Sequence, residues 1–289
     1  MPRNLFPRRS SAFHLAGLGL LVVVVAAPML WVLGYSILYS LGVIGLLSAG
    51  GTLQHWRDAY STGGLAQSAI YSPTVAAAST LLATALALSV VLLQPELRHK
   101  KWSLGWICLL LATPNAVLAI LVYQVLNPGG YLARIAAQCG AINSPTEFPV
   151  LVNDHYSIGI IVAQTLSAFP LLTLYFLNTW TTARVDRYCR LAASLGASRA
   201  QCRWQVALPM LVRRGRSLIL LSFLFNLGSY EVLLLLGSQS PQMFSVLTQR
   251  HFGRFDLHDR PQAFVLATTY FCLVSVSLLL FFKWRRSHD

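Results

Sequence analysis

Of the chain's 289 residues, 55% are hydrophobic and only 11% charged, with a mean hydropathy of +0.59, whereas a soluble domain carries about a quarter charged residues. Such a chain cannot cover its surface with polar groups, so lipid is its expected solvent. The net charge of +13 does not make nucleic acid an expected partner, because the basic residues lie between apolar blocks and not on one water-soluble face.

The basic start MPRNLFPRR is followed by an apolar run from Ala12 to about Leu41. That run is longer than the roughly 7 to 15 apolar residues of a cleavable signal, so it reads as an uncleaved first helix behind a cytoplasmic tail of residues 1–11. Further apolar blocks run from about Leu65 to Leu93, Trp102 to Leu126, Ile158 to Trp180, Ser217 to Leu236 and Gln262 to Phe282. Each reaches the roughly 20 helical residues needed to cross a bilayer. The expected fold is an all-α integral membrane protein with six transmembrane helices in one domain, residues 12–289.

Lys and Arg are retained in short cytoplasmic loops. With both termini inside, the inner segments hold 17 of the 22 basic residues, from Arg3, Arg8 and Arg9 through Arg98 and the arginines of 184–216 to Lys283, Arg285 and Arg286. The outer segments gather Asp58, Glu147, Asp154, Asp256 and Asp259. The termini are therefore expected in the cytoplasm. On the outer side, Asn127 to Ile142 begins with a turn and continues with Leu132, Ile135, Ala136 and Cys139 at helical spacing; it reads as a short interfacial helix or as an ordered loop. The stretch from Asn143 to Tyr156, with Pro145 and Pro149, reads as loop. The five cysteines, Cys108, Cys139, Cys189, Cys202 and Cys272, show no CxxC spacing and the seven histidines no HExxH pair, so neither a disulfide framework nor a metal site is expected.

Between the fourth and fifth blocks, residues 184–211 are too polar to span and too rich in helix formers for a plain loop. Val185, Tyr188, Leu191, Ala192 and Leu195 share one helical face with arginines opposite. Gly196 is the expected break, Ser198 the cap of a second helix, and Leu208-Pro209 its end.

Here the chain resembles the binding-protein-dependent ABC importer permeases, whose signature is EAA, three residues, Gly, nine residues, Ile, one residue, Leu-Pro. Gly196, Val206, Leu208 and Pro209 stand at the Gly, Ile, Leu and Pro positions, and Ala192 at the second Ala, with Ala197 and Ser198 following the Gly. Arg190 stands where the family has Glu, and Asp186, one turn earlier, offers a carboxylate nearby. FNLGSYEVLLLLG from Phe225 to Gly237, followed by SPQMFSVLTQR and RPQAFVLA, looks like the polyamine, ferric and phosphonate importer group, extending the likeness from about Tyr71 onward. The resemblance implies a type I permease in a bacterial inner membrane whose loop 184–211 is a coupling helix for a cytoplasmic ATPase dimer. It also implies a second permease, identical or different, and an extracytoplasmic substrate-binding protein. With no GxxxxGK[ST] loop in this chain, ATP and Mg belong on the ATPase partner, and this chain is expected to bind no cofactor and perform no catalysis.

Polar residues within a span face a partner helix or an aqueous path. Glu231 is expected about 21 Å along a fifth helix counted from Ser217. Ionised, it favours a cationic substrate; protonated or paired with Arg, it is structural. Asn226 and Tyr230 share a face of that helix, four residues apart. Thr113-Pro114-Asn115 puts a helix breaker beside a polar side chain in the third block. Asn115 and Gln164 serve the path or bond between helices, and the small residues from Ala76 to Ala87 let helices approach. The reading is a permease alternating between outward-open and inward-open states, with polyamine ahead of aminophosphonate and ferric ion as cargo. A membrane scaffold or sensor and a membrane-embedded enzyme are the alternatives, the latter without any convincing Ser/His, paired-Asp or HExxH arrangement in the spans.

Overall fold

The computed structural model describes Gly17 and residues 19–45, 50–61, 64–94, 97, 100–144, 147–254 and 259–286. The tail 1–11, Arg98, Pro145 and Asp256 lie outside the described residues. The described residues form helices and no strand. They are α1 (Gly19–Ser40, with a π-turn at Val22–Ala26), α2 (Gln54–Ser61), α3 (Gly64–Leu93), α4 (Lys101–Ala112), α5 (Asn115–Leu126), α6 (Tyr131–Gln138) and α7 (Ile158–Thr182). Then come α8 (Val185–Ser194), α9 (Arg199–Gln201), a π-helical stretch Cys202–Ala207, α10 (Leu208–Gly228), α11 (Glu231–Leu236), α12 (Phe244–Phe252) and α13 (Arg260–Arg286).

Five described stretches are long and apolar enough to cross a membrane: Gly19–Ser40, Gly64–Leu93, Asn115–Gln138, Ile158–Thr182 and Arg260–Lys283. The protein is a multi-pass, all-helical membrane protein. Two of the six expected spans are not single helices. The third breaks at Thr113-Pro114 into α4 and α5, because Pro114 lacks an N–H and pushes its predecessor into extended backbone, with Thr113 at ψ 125°. The fifth breaks at Ser229-Tyr230 into α10 and α11, where Ser229 turns to ψ 138°. The length of Asn115–Gln138 includes the turn at 127–130 that leads into the short helix α6.

The chain divides into two compact units. In the first, Met1–Gly63 with Thr248–Leu273, Tyr39 packs on Phe264 with ring centroids 4.3 Å apart, and Phe252 meets Phe264 edge-on at 5.1 Å. Helix α1 turns nearly all its side chains outward, only 6% of its most apolar window being buried, as suits a helix facing lipid. The second unit, Gly64–Leu247 with Val274–Asp289, is centred on α3 and α7, the most extensively packed helix pair. Ala83 and Ala87 of α3 are fully buried in one cluster with Ala168, Leu172 and Phe176 of α7. Side chains no larger than a methyl let the two backbones approach. Helix α10 joins the same cluster at Leu211, and Gly215 is buried where a Cβ would come within 2.5 Å of Phe176.

Candidate functional site

The loop after α7 is assembled almost entirely from local bonds. Arg184 leaves α7 in the left-handed region at φ 51°, and Val185 then anchors α8 in the core. The Trp180 indole N–H donates to Asp186 Oδ1 at 2.9 Å, tying α8 to the end of α7. This carboxylate is thus engaged within the chain. Helix α8 ends in a Schellman motif: Ala197 N–H donates to the carbonyl of Ala192 and Gly196 N–H to that of Ala193, both at 3.0 Å. Gly196 sits at φ +91°, with open space where a Cβ would be, so backbone conformation and not crowding requires glycine. The fixed interval from Ala192 to Gly196 is therefore the interval between the third-last helical residue and the left-handed residue beyond the cap. Ser198 completes a capping box: its Oγ accepts from Gln201 N–H at 3.2 Å, while its own N–H donates to Gln201 Oε1 at 2.8 Å.

Two expectations for this loop are corrected. Leu208-Pro209 does not end the second helix; Pro209 lies in the first turn of α10 and the chain stays helical from Arg199 to Gly228. The wider π-turn Cys202–Ala207 precedes the proline and breaks the regular i→i−4 ladder where Pro209 has no N–H to contribute. Val206 lies within this π-turn and Leu208 packs on the core cluster. Cys189 and Cys202 form a disulfide, with Cα atoms 5.4 Å apart, although no disulfide was expected. The reversal of direction at Gly196 brings together two cysteines separated by 13 residues, a proximity that CxxC spacing rules do not register.

The face of α8 splits into three strips. Val185 and the half-buried Ala192 turn inward, while Tyr188, Leu191 and Leu195 are 50%, 54% and 89% exposed. Arg187 and Arg190 are exposed beside them. Arg190, at the position of the family's Glu, has no ion pair among the described residues and lines a cavity of about 290 Å³ with Asp186, Arg199 and Arg203.

At membrane depth, Gln164 and Asn226 are each 1% exposed and are linked, the Gln164 amide N–H donating to the Asn226 backbone carbonyl at 2.9 Å. That carbonyl belongs to the last turn of α10 and also accepts from the Ser229 N–H at 3.3 Å, so the Gln164 amide supplies its second donor. The Asn226 amide N–H donates to Thr80 Oγ1 at 3.0 Å, and the Thr80 hydroxyl proton goes to the Ala76 carbonyl at 2.7 Å. Both amide orientations are thereby set by their partners. Gln164 Oε1 and Asn226 Oδ1 are left buried without a donor, as is Ser222 Oγ four residues before Asn226. A cavity of about 310 Å³ lies against Ser222, and its wall carries Thr113, Asn115 and Ser167, with the Ser167 hydroxyl donating to Asn115 Oδ1 at 2.7 Å.

The structure thus brings Gln164 to Asn226 and sets Asn115 on the cavity wall. Among the described residues, no side-chain hydrogen bond or shared cavity joins Tyr230 or Glu231 to them. The break after Gly228 removes the continuous fifth helix from which Glu231 was placed at 21 Å, and with it the shared helical face of Asn226 and Tyr230. Glu231 opens α11, exposed and without an ion pair among the described residues. Thr80, Ser167 and Ser222 were missed. Ser79, Thr80 and Thr84 recur at helical intervals within the apolar stretch of α3, the one signal in the sequence that a polar strip runs along that helix.

The described residues thus form an all-helical membrane protein with a capped loop and a polar seam between broken helices. The chain belongs to the family of binding-protein-dependent transport system inner membrane components, whose model matches residues 93–285, well over half of its length. It is a permease subunit of an ATP-binding-cassette system, a transport component and not an enzyme, in a family that works with an ATPase and a substrate-binding protein. No curated protein matches the chain.

Proposed function

We propose that the chain forms one half of a solute pathway in an importer of a bacterial inner membrane, paired with a second permease. It alternates between outward-open and inward-open states as a cytoplasmic ATPase dimer, carrying ATP and Mg, closes against residues 184–211. The observation that carries this reading is the strip Tyr188, Leu191 and Leu195. It is apolar, exposed and held in shape by a Schellman motif and a capping box. A preorganised apolar strip flanked by arginines suits a protein partner. Arginines adhering to lipid headgroups would account for the charge but not for the fixed interval from Gly196 to Pro209.

The test is the full chain co-expressed with its ATPase and reconstituted. The double variant Tyr188→Ser/Leu195→Ser should lower ATPase retention and coupled turnover by about tenfold, the effect of losing a small hot spot. Its thermal stability should stay near wild type because both side chains are exposed. Unchanged retention and turnover would sink the coupling assignment.

For cargo, a small cationic or zwitterionic solute is favoured, with polyamine first. The support is chemical. Glu231 is an unpaired carboxylate, and the Gln164, Asn226 and Ser222 oxygens await donors such as ammonium hydrogens. Glu231→Gln should weaken polyamine uptake; uptake at the wild-type rate would remove the carboxylate from the argument.

A further inference from the structure

The start of α10 carries three arginines that neither the coupling strip nor the polar seam uses. Arg213, Arg214 and Arg216 line a polar cavity of about 400 Å³ together with Asn178 and Thr182 of α7 and Ser217 of α10. No Asp or Glu is among its lining residues. Arg213 and Arg214 are exposed and make no ion pair or side-chain hydrogen bond among the described residues.

The cluster is built and not a loose surface patch. The Tyr175 hydroxyl donates to the backbone carbonyl of Arg214 at 2.8 Å, pinning α10 to α7 within the cavity. Gly215, buried between the arginines, lets Phe176 pack against the backbone, where any Cβ would come within 2.5 Å of the ring. The helix can neither rotate nor withdraw without losing both contacts. Two guanidinium groups without counter-ions, joined by the Asn178 amide and the Ser217 hydroxyl, form a set of donors that matches the oxygens of a phosphate group. The cavity lies where α10 passes from RRGR into the apolar SLILLSFLF and where α7 leaves its own apolar stretch, at the boundary of the bilayer.

We propose that this cavity binds a phosphate-bearing anion at the membrane boundary. Two sources share the chemistry, the headgroup of an anionic phospholipid and free phosphate in the adjoining water. The site does not depend on the coupling reading, because none of its residues lies on the α8 strip.

The experiment is native mass spectrometry of the full chain in detergent. It receives phosphatidylglycerol or phosphatidylcholine of identical acyl chains, with and without millimolar inorganic phosphate, and radiolabelled phosphate is followed in parallel by equilibrium dialysis. Wild type should retain phosphatidylglycerol over phosphatidylcholine by about tenfold or more, and Arg213→Gln/Arg214→Gln should erase that preference. Arg199→Gln/Arg203→Gln removes the same charge elsewhere and should keep it. Ser217→Asp, which adds an anion without deleting an arginine, should also erase it, and guards against a double variant that fails to fold. Saturable phosphate binding without lipid preference, lost in the same variants, would assign the site to the free anion. The proposal fails if wild type shows neither lipid preference nor phosphate binding, or if both arginine pairs matter equally.

Discussion

The loop around Gly196 and the seam where α3, α7 and α10 meet are held by hydrogen bonds of opposite range. In the loop, Ala197 reaches back five residues to Ala192, Gly196 three to Ala193, and Ser198 and Gln201 cap each other across three. In the seam, Gln164 reaches Asn226 across 62 residues and Asn226 reaches Thr80 across 146, and on the neighbouring cavity wall Ser167 of α7 reaches Asn115 of α5 across 52. A region built from neighbours in sequence keeps its shape with little help from the rest of the chain. A region built across the fold has a shape only once the helices have packed. In the transport cycle proposed above, the loop would move as a unit, and the seam would open or close as helices shift.

That contrast can be broken most forcefully at Gly215. Gly215→Leu forces a side chain into Phe176 and should cost about 1–3 kcal/mol as overpacking, the largest effect expected. Its thermal midpoint should fall by several degrees; a wild-type midpoint would show that α7 and α10 do not need their close approach. Next is Asn226→Ala, which removes the donor to Thr80 and should cost about 0.6–1.7 kcal/mol, the range for interhelical bonds in membranes. If the seam is cooperative, Gln164→Leu/Asn226→Ala should cost less than the sum of the single changes. Strict additivity in a double-mutant cycle would split the seam into independent bonds.

Smaller effects are expected in the loop, and of a different kind. Gly196→Ala places an L-residue in the left-handed region at a cost of about 1 kcal/mol, and Ser198→Ala removes the cap for about 0.5–1 kcal/mol. Both should leave the global unfolding midpoint nearly unchanged while raising amide exchange at residues 192–201. Global destabilisation by either one would show that the loop is not the autonomous unit its local bonding implies.

Legibility followed the same division. The break at Gly196, the Ser198 cap and the break at Pro114 were readable because each is a property of backbone conformation within a turn of helix. Pro209 misled for an instructive reason. A proline inside a helix normally ends or kinks it, but the π-turn at Cys202–Ala207 reorganises the ladder ahead of it and the helix continues. Glu231 misled because the helix was counted straight through Gly228-Ser229; that glycine marks the point where the helix ends, but a lone glycine inside a span is equally compatible with a continuous helix.

Composition and periodicity by themselves determined the solvent, the helical class, most of the apolar blocks and the capped geometry of the loop, because those depend on length, hydropathy and bonds of three to five residues. Tertiary structure alone decided which amides meet, which strip of α8 is left exposed, that Cys189 lies beside Cys202, and that three arginines share one cavity wall with α7. Those outcomes depend on how closely the helices approach. That approach is set by buried small residues such as Ala83, Ala87 and Gly215, whose meaning appears only when the opposing side chain is in place.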